Sequence, residues 1–302
     1  MINIAVLLTC FNRKDKTLSC LHSLYNALDL YNSKYADNNI QISVYLTDDG
    51  CTDGTGDAVR NNFSDKNVTV LQGTGNLFWA GGMRFAWNEA LKKHGEWDFY
   101  LLLNDDTDLL DNLFIELIAT HRYCIDNYNK AGIYSGITSS KSDHNKMTYG
   151  GSVWKNKFWG LSTRLNPIGK PQMCDMTNAN ILLVAKEVVD KIGIFYDGYS
   201  HGKADYDYAI TARKKGIPVL LTANFCGRCD NDHRSATEIE EMIKEMSLSE
   251  RKKYFSHPIH SSRDYLRYMR RHMPFRYPFV YVGRFMNEKC PKLYYWISNL
   301  LR

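Results

Sequence analysis

Phe99-Tyr100-Leu101-Leu102-Leu103-Asn104-Asp105-Asp106-Thr107 runs five apolar residues straight into two adjacent carboxylates. A short apolar run without polar alternation suits a strand buried on both faces of a parallel sheet. The carboxylates at its end need compensation, because neighbouring anions repel and lose solvation unless a cation or hydrogen-bond donors meet them. Mg²⁺ and Mn²⁺ are hard ions that prefer carboxylate oxygen; such an ion could bridge a diphosphate and neutralise a departing group. A solvated turn, or an aspartate capping a helix that starts near Leu109, would satisfy the same residues without a metal.

The same grammar surrounds this stretch. Ile4 to Leu8 is a continuous apolar run that stops at Asn12, and Leu18, Leu21, Leu24, Tyr25 and Leu28 then recur at helical spacing. Ile42, Val44 and Leu46 predict a second strand, followed by an Asp/Gly-rich turn and a short helix near 55–62. Val68 to Leu71 predicts a third strand, and 83–93 a helix. Alternating strands and helices of these lengths predict a doubly wound α/β domain with right-handed crossovers. In such sheets ligands sit beyond the carboxyl ends of the strands, where Asn12, Arg13, Asp48, Asp49, Asn76, Asp105 and Asp106 all fall. From Gly132 the rhythm turns to Gly-rich aromatic segments that read as hairpins. Helical spacing returns near 184–192 and 206–215 and stops at Gly216-Ile217-Pro218. The expected organisation is 1–130 and 131–240 as two halves of one domain, with a basic aromatic helical tail over 241–302.

At 302 residues, 44% hydrophobic and 24% charged, the composition is that of a globular chain and excludes collagen-like, disordered and membrane-embedded classes. The net charge of +5 is unevenly placed. From residue 251 to the end, twelve Lys/Arg face only Asp264 and Glu288, a net +10, which leaves the first 250 residues at −5. Eight scattered cysteines, with a strand at the N-terminus where a signal peptide would stand, read as reduced thiols in a cytoplasmic protein.

Several motifs can be eliminated. Taking Asp49 as the first position of a calcium loop puts Arg60 at the twelfth, where a bidentate Glu is required. Gly73-Thr74-Gly75-Asn76-Leu77-Phe78-Trp79-Ala80-Gly81-Gly82 lacks the Lys-Ser/Thr ending of a Walker loop and does not fit G-x-G-x-x-G. Cys226-Gly227-Arg228-Cys229 has no second paired knuckle to complete a structural zinc site.

Taken in order, these segments resemble the family 2 glycosyltransferases of the GT-A fold over roughly residues 3–235. Leu7-Leu8-Thr9-Cys10-Phe11-Asn12-Arg13 is similar to that family's first strand and nucleotide-binding turn, and Asp48 to Thr55 resembles its Asp-Asp-Gly-Ser-Thr-Asp-Gly-Thr segment. Asn76 to Gly82, with Trp79, Gly81 and Gly82, is similar to its donor loop, and Asn104 to Asp106 to its Asp-x-Asp metal motif. The resemblance implies an Mn²⁺ or Mg²⁺ ion on Asp106, Asp105 beside the nucleotide, and a nucleotide lying across Thr9, Cys10, Phe11, Asn12, Arg13, Asp48, Asp49 and Asn76. Ala204-Asp205-Tyr206-Asp207 resembles the family's Glu-Asp-x-Asp segment, which implies Asp205 as the general base. Read without the family, Asp205 is equally a helix N-cap or an ion partner of His201 or Lys203. A downstream histidine sometimes completes the metal site in such enzymes, which points to His233.

The expected activity is therefore inverting, metal-dependent transfer of a sugar from a UDP or dTDP donor to a hydroxyl of a lipid-linked surface glycan, such as a capsule or O-antigen. The alternatives are a non-catalytic nucleotide-sugar-binding subunit of a glycan-assembly complex, or a sugar nucleotidyltransferase. In the tail, Lys and Arg mix with Tyr254, Phe255, Tyr265, Tyr268, Phe275, Phe279, Trp296 and other rings, as in segments that lie on the inner face of an anionic membrane. Packing on the body or a homo-oligomer contact would use the same residues. No RNA-binding signature accompanies them, so nucleic acid is not an expected partner.

Overall fold

A computed structural model describes residues 1–231, 234–260 and 262–300. The chain begins β1 (Ile2–Cys10), α1 (Lys14–Lys34), β2 (Ile40–Asp48), α2 (Thr55–Asn62), β3 (Val68–Gln72), α3 (Phe78–Leu91), β4 (Phe99–Leu103). It continues β5 (Asp108–Leu109), α4 (Leu113–Tyr128), β6 (Ile133–Ser139), β7 (Met147–Tyr149), β8 (Gly151–Asn156), β9 (Leu161–Arg164), β10 (Gln172–Met173), β11 (Met176–Thr177), β12 (Ile181–Ala185). Then follow α5 (Lys186–Ile192), α6 (Ala204–Lys214), β13 (Val219–Arg228), and the tail helices α7 (Ala236–Glu245), α8 (Leu248–Ser256), α9 (Ser262–His272), α10 (Tyr277–Lys289) and α11 (Pro291–Leu300).

The main sheet runs β10-β13-β6-β12-β4-β1-β2-β3. β3, β2, β1 and β4 are parallel neighbours, as are β6 and β13, and β12 runs antiparallel between β4 and β6. The α/β expectation holds, and one sheet joins the segments before and after residue 130. Ile4 to Leu8 and Tyr100 to Leu103 are wholly buried, as strands covered on both faces must be. Strand order reverses at β1, with β2 and β3 to one side and β4 to the other. Right-handed crossovers then place α3 on the face opposite α1 and α2, and in sheets of this order the carboxyl ends of β1 and β4 are where ligands are expected.

Three departures from the sequence reading have physical causes. α3 starts at Phe78, five residues before the expected 83, because its first amides are capped from outside: the Asp49 carboxylate accepts from Leu77 and Phe78 N–H, each at 2.9 Å. Ile181 to Ala185, expected in part as helix, forms β12 and pairs on both edges, with helix only from Lys186. β13, which follows the Gly216-Ile217-Pro218 stop, carried no alternation to announce it because its first four residues are buried.

Gly82 is needed for close approach. A Cβ there would stand 2.1 Å from Thr9 Oγ1, and Thr47 Oγ1 donates to the Gly82 carbonyl at 2.9 Å, so α3 lies directly on β1 and β2.

The tail does not hang free. Its helix α9 docks on α6 through Asp207, which accepts from Tyr199 OH at 2.9 Å, Arg271 Nε at 2.6 Å and His272 Nε2 at 2.6 Å. Lys214 Nζ lies 3.0 Å from His272 Nδ1 and can only donate, so that ring nitrogen is the acceptor and Nε2 carries the proton shared with Asp207. The arrangement is self-consistent: burial holds the His272 imidazole below its usual pKa against the pull of Asp207. Tyr268 and Met269 of α9 join the main core, while Ile243, Phe255 and Tyr295 form a small second core among α7, α8 and α11. Among the described residues no helix is long and apolar enough to cross a membrane.

Asp207→Ala should lower unfolding stability by about 2–3 kcal/mol in urea titration, less than the ~3–5 of a fully buried pair because a third of Arg271 stays in water. An unchanged midpoint would show that the tail is held by its apolar contacts alone.

Candidate active site

The carboxyl ends of β1 and β4 meet at a charge cluster. Arg13, just before α1, places Nη1 3.2 Å from Asp105 Oδ1 and 2.8 Å from Asp106 Oδ2. Asp105 is buried and also accepts from Thr17 Oγ1 at 3.3 Å; Asp106 is more open. Burial pushes the Asp105 carboxyl up to about 6, the Arg13 guanidinium pulls it down, and the Asp106 charge adds to the rise. The motif is thus no freely solvated turn, since its charges are compensated by a guanidinium from the neighbouring strand's turn. Cys229 Sγ lies 3.6 Å from Asp106 Oδ1, and burial pushes this thiol up to about 12, so it stays protonated.

The turns after β1 and β2 are stitched together. Cys10 carbonyl accepts from Asp49 N–H at 3.0 Å, and Asn12 Oδ1 accepts from Thr52 N–H at 2.7 Å. Asn12 adopts φ 52°, a left-handed conformation that asparagine tolerates better than most residues. Asp53, exposed, accepts from Lys14 N–H at 3.0 Å and so begins α1. Asp48 Oδ1 accepts from Cys51 N–H at 2.7 Å, while a Cβ on Gly56 would stand 2.4 Å from its Oδ2. Cys10 and Cys51 approach to 3.7 Å as free thiols.

Asp49 has a different job from its neighbour. Its Oδ1 accepts from Gly75 N–H at 2.8 Å and its Oδ2 from Leu77 and Phe78, so three backbone donors of the 73–78 loop converge on one carboxylate. This holds Phe78 at φ 54°, a region that disfavours a bulky side chain. Asn104, in the place of the motif's first carboxylate, accepts from Trp79 Nε1 at 2.8 Å through its amide oxygen and ties the start of α3 to the end of β4. Sequence reading did not find this bond, since the only signal was an amide at a position where the resemblance implied an acid.

Asp205 lies in the first turn of α6, after Lys203 in a left-handed φ of 72°. Its Oδ1 accepts from Tyr206 N–H at 2.8 Å, and the Ala179 N–H also bonds it. Burial pushes its carboxyl above the usual carboxylate range, while these backbone donors and Lys203 hold it down. Ala179 adjoins Asn180, whose carbonyl accepts from Asn104 N–H at 3.0 Å. Ser200, on the loop before α6, accepts from Ala80 N–H of α3 at 3.2 Å. The 178–180 segment therefore bonds both Asp205 and Asn104, the residue before the carboxylate pair, and the first turn of α3 is bonded to the loop before α6.

Other expected residues sit less centrally. Phe11 and Asn76 are exposed on the rim, Thr9 and Gly82 pack together beneath it, and Gly81 abuts Leu77. Trp79 stacks near Phe195 and binds Asn104. Cys226 is buried against Thr222, away from Cys229, so the two thiols do not share a site. His233 lies outside the described residues.

Asp49→Ala should release the 73–78 loop. Because hydrogen bonds to a charged group contribute ~1.5–3 kcal/mol each, the amides of Gly75, Leu77 and Phe78 should exchange with solvent at least ~100-fold faster. Unchanged protection would mean the loop is set by packing instead.

Comparison with known proteins places this architecture. No curated protein matches in sequence. Among the solved structures that share the fold are a mannosyltransferase from Pyrobaculum calidifontis in complex with GDP-Man and Mn²⁺ (13% identity, TM-score 0.52, 96% of this chain and 71% of that one), S. aureus TarS 1–349 (14%, 0.52, 95% and 79%), and TarS 1–349 in complex with UDP-GlcNAc (12%, 0.52, 95% and 79%). The family model for glycosyl transferase family 2 matches residues 5–180, a span that runs from the first strand through the carboxylate motif to the segment bonding Asp205. With more than half its length inside that model, the chain belongs to glycosyl transferase family 2.

Proposed function

We propose that this glycosyltransferase moves a sugar, with inversion, from a nucleotide diphosphate donor to a hydroxyl of a lipid-linked glycan, using a divalent ion on the carboxylate pair and Asp205 as general base. UDP is the first choice of nucleotide and dTDP the second. One observation carries the reading: Asn104, the residue before a carboxylate pair that draws a cation, and Asp205, a carboxylate with raised proton affinity, are both bonded to the 178–180 segment.

The residues fit a hard divalent ion. Asp105 and Asp106 offer adjacent oxygens, and Arg13 already brings positive charge to them. Among the described residues no group of three or more His, Cys, Asp and Glu is placed to hold a metal. Asp105 and Asp106 would hold the ion, and its chemistry would be neutralisation of the departing diphosphate. The Arg13 guanidinium is suited by its fork to diphosphate oxygens once the carboxylates have another cation. The donor class is supported by fold relatives that carry GDP-Man with Mn²⁺ and UDP-GlcNAc.

Asp49, Asn104 and Gly82 fix the 73–82 loop in place before the donor arrives, so positioning it costs little on binding. Asp205 takes the proton of the attacking hydroxyl as that oxygen displaces the diphosphate in line, which inverts the anomeric carbon. The base must be ionised to act. Since its pKa is raised, the competent fraction falls as pH drops through that raised value.

The tail suits a membrane surface. α10 and α11 expose Phe279, Phe285 and Trp296 beside Arg276, Lys289 and Lys292, a mixture that settles at a lipid boundary.

Asp205→Asn should lower kcat by ~10²–10⁴-fold and leave nucleotide affinity nearly unchanged, and the wild-type kcat/KM should show an acid limb above the ordinary ~3.9 of aspartate. Full activity of Asp205→Asn would remove the base from the scheme. A thermal-shift panel of UDP, dTDP and GDP with Mn²⁺ should show stabilisation of ~2.7 kcal/mol at a hundredfold excess over Kd, abolished by EDTA. A shift that survives chelation would remove the ion, and no shift with any nucleotide would remove the donor class.

A further inference from the structure

Beyond the donor site, the most unusual chemistry lies where α9 meets the loop before α6. A cavity of about 940 Å³ opens there, lined by Arg263, Arg267, Arg270, Arg271, Tyr196 and Tyr277 among others, with no acidic residue among the described residues of its wall. The arginines recur at i, i+4, i+7 and i+8, which puts them on one side of α9. The buried residues of that helix, Asp264, Tyr268, Met269 and His272, face the body.

The four cations are not equally engaged. Arg271 is bonded to Asp207, and its guanidinium lies 4.1 Å from the centre of the Tyr196 ring. Arg267 and Arg270 have no hydrogen bond or ion pair with any described residue, although both line the cavity. Guanidinia gathered in a concave wall without carboxylates repel one another, and a tetrahedral phosphate ester relieves this with paired N–H···O bonds.

The position of the cavity says which phosphate. Asp207, bonded to Arg271, is two residues from Asp205 on α6. Asp264, in the first turn of α9, accepts from Ser200 and His201 N–H at 3.0 and 2.9 Å, and so fixes the loop between the cavity and α6. Arg84 of α3 binds the carbonyls of Tyr196 and Tyr199, so the same loop also rests on the donor-side helix. Just beyond the cavity, Phe275 and Phe279 are 80% and 79% exposed, which suits contact with hydrocarbon at a lipid boundary.

We propose that this arginine-lined cavity is an acceptor subsite that grips the diphosphate joining a glycan to its lipid. The inference rests on the lipid-linked acceptor of the proposed function and adds the residues that recognise it. Arg267 and Arg270 supply the unengaged guanidinia, Arg271 couples the occupied cavity to α6 through Asp207, and Phe275 and Phe279 meet the lipid.

The test is calorimetric titration of the full chain with farnesyl diphosphate and with inorganic pyrophosphate, run with saturating UDP and Mg²⁺ so that the donor side is filled. Wild type should bind farnesyl diphosphate more tightly than pyrophosphate. The Arg267→Ala/Arg270→Ala double variant should lose at least tenfold in affinity for both, and Arg267→Lys/Arg270→Lys should recover only part of it, because lysine keeps the charge without the fork. Equal binding of farnesyl diphosphate by the alanine variant would overturn the proposal. So would wild-type binding to phosphatidylcholine vesicles containing phosphatidylglycerol with none to farnesyl diphosphate, since the surface would then read bulk membrane charge. UDP affinity is read in the preceding injection, so a failed donor reading shows separately from a failed subsite.

Discussion

Two carboxylates at the end of a fully buried strand must be compensated, and the way this chain compensates them organises its functional edge. Asp105 is pressed into the protein by the parallel sheet that supports it, and the cost of ionising it there is offset in part by Arg13 from the adjacent turn and by the Thr17 hydroxyl. The guanidinium thereby fastens the carboxyl ends of β1 and β4 together at the point where strand order reverses. In α/β sheets ligands bind at such a point, so the place of the charge cluster follows from the strand order.

Around this cluster, polar side chains do the work of alignment. Asp49 accepts three backbone amides and imposes both the start of α3 and the left-handed Phe78. Asn104 holds Trp79, and Gly82 lets α3 settle onto Thr9. The acidic residues of this edge thus divide by their partners. Asp49 is saturated by amides and acts on the backbone, Asp105 and Asp106 face a cation, and Asp205 retains raised proton affinity.

The tail is tied to α6 by a second buried carboxylate. Asp207 gathers Tyr199, Arg271 and His272, joining α6 to the tail helix α9, and it sits below the usual carboxylate range because those donors outweigh the penalty of burial. Two residues apart on one helix, Asp205 and Asp207 have opposite shifts for opposite reasons. The first has few donors for its burial; the second has an arginine and an imidazole. The tail is thereby bonded to the first turn of α6.

Local sequence determined the strands β1 to β4, the helices between them and the placing of acids at strand ends, because an apolar run that stops on polar residues needs only its own neighbours to be read. The order of the acidic motifs was likewise enough for the family resemblance. Tertiary structure alone decided which acid does what. The cap of α3 comes from Asp49, nearly thirty residues away, and Arg13 finds its carboxylates more than ninety residues on; Arg271 finds Asp207 only when α9 docks. β12 and β13 stayed hidden for a related reason: strands enclosed on all sides lose the alternation that marks an exposed face, and their identity rests on partners distant in the chain.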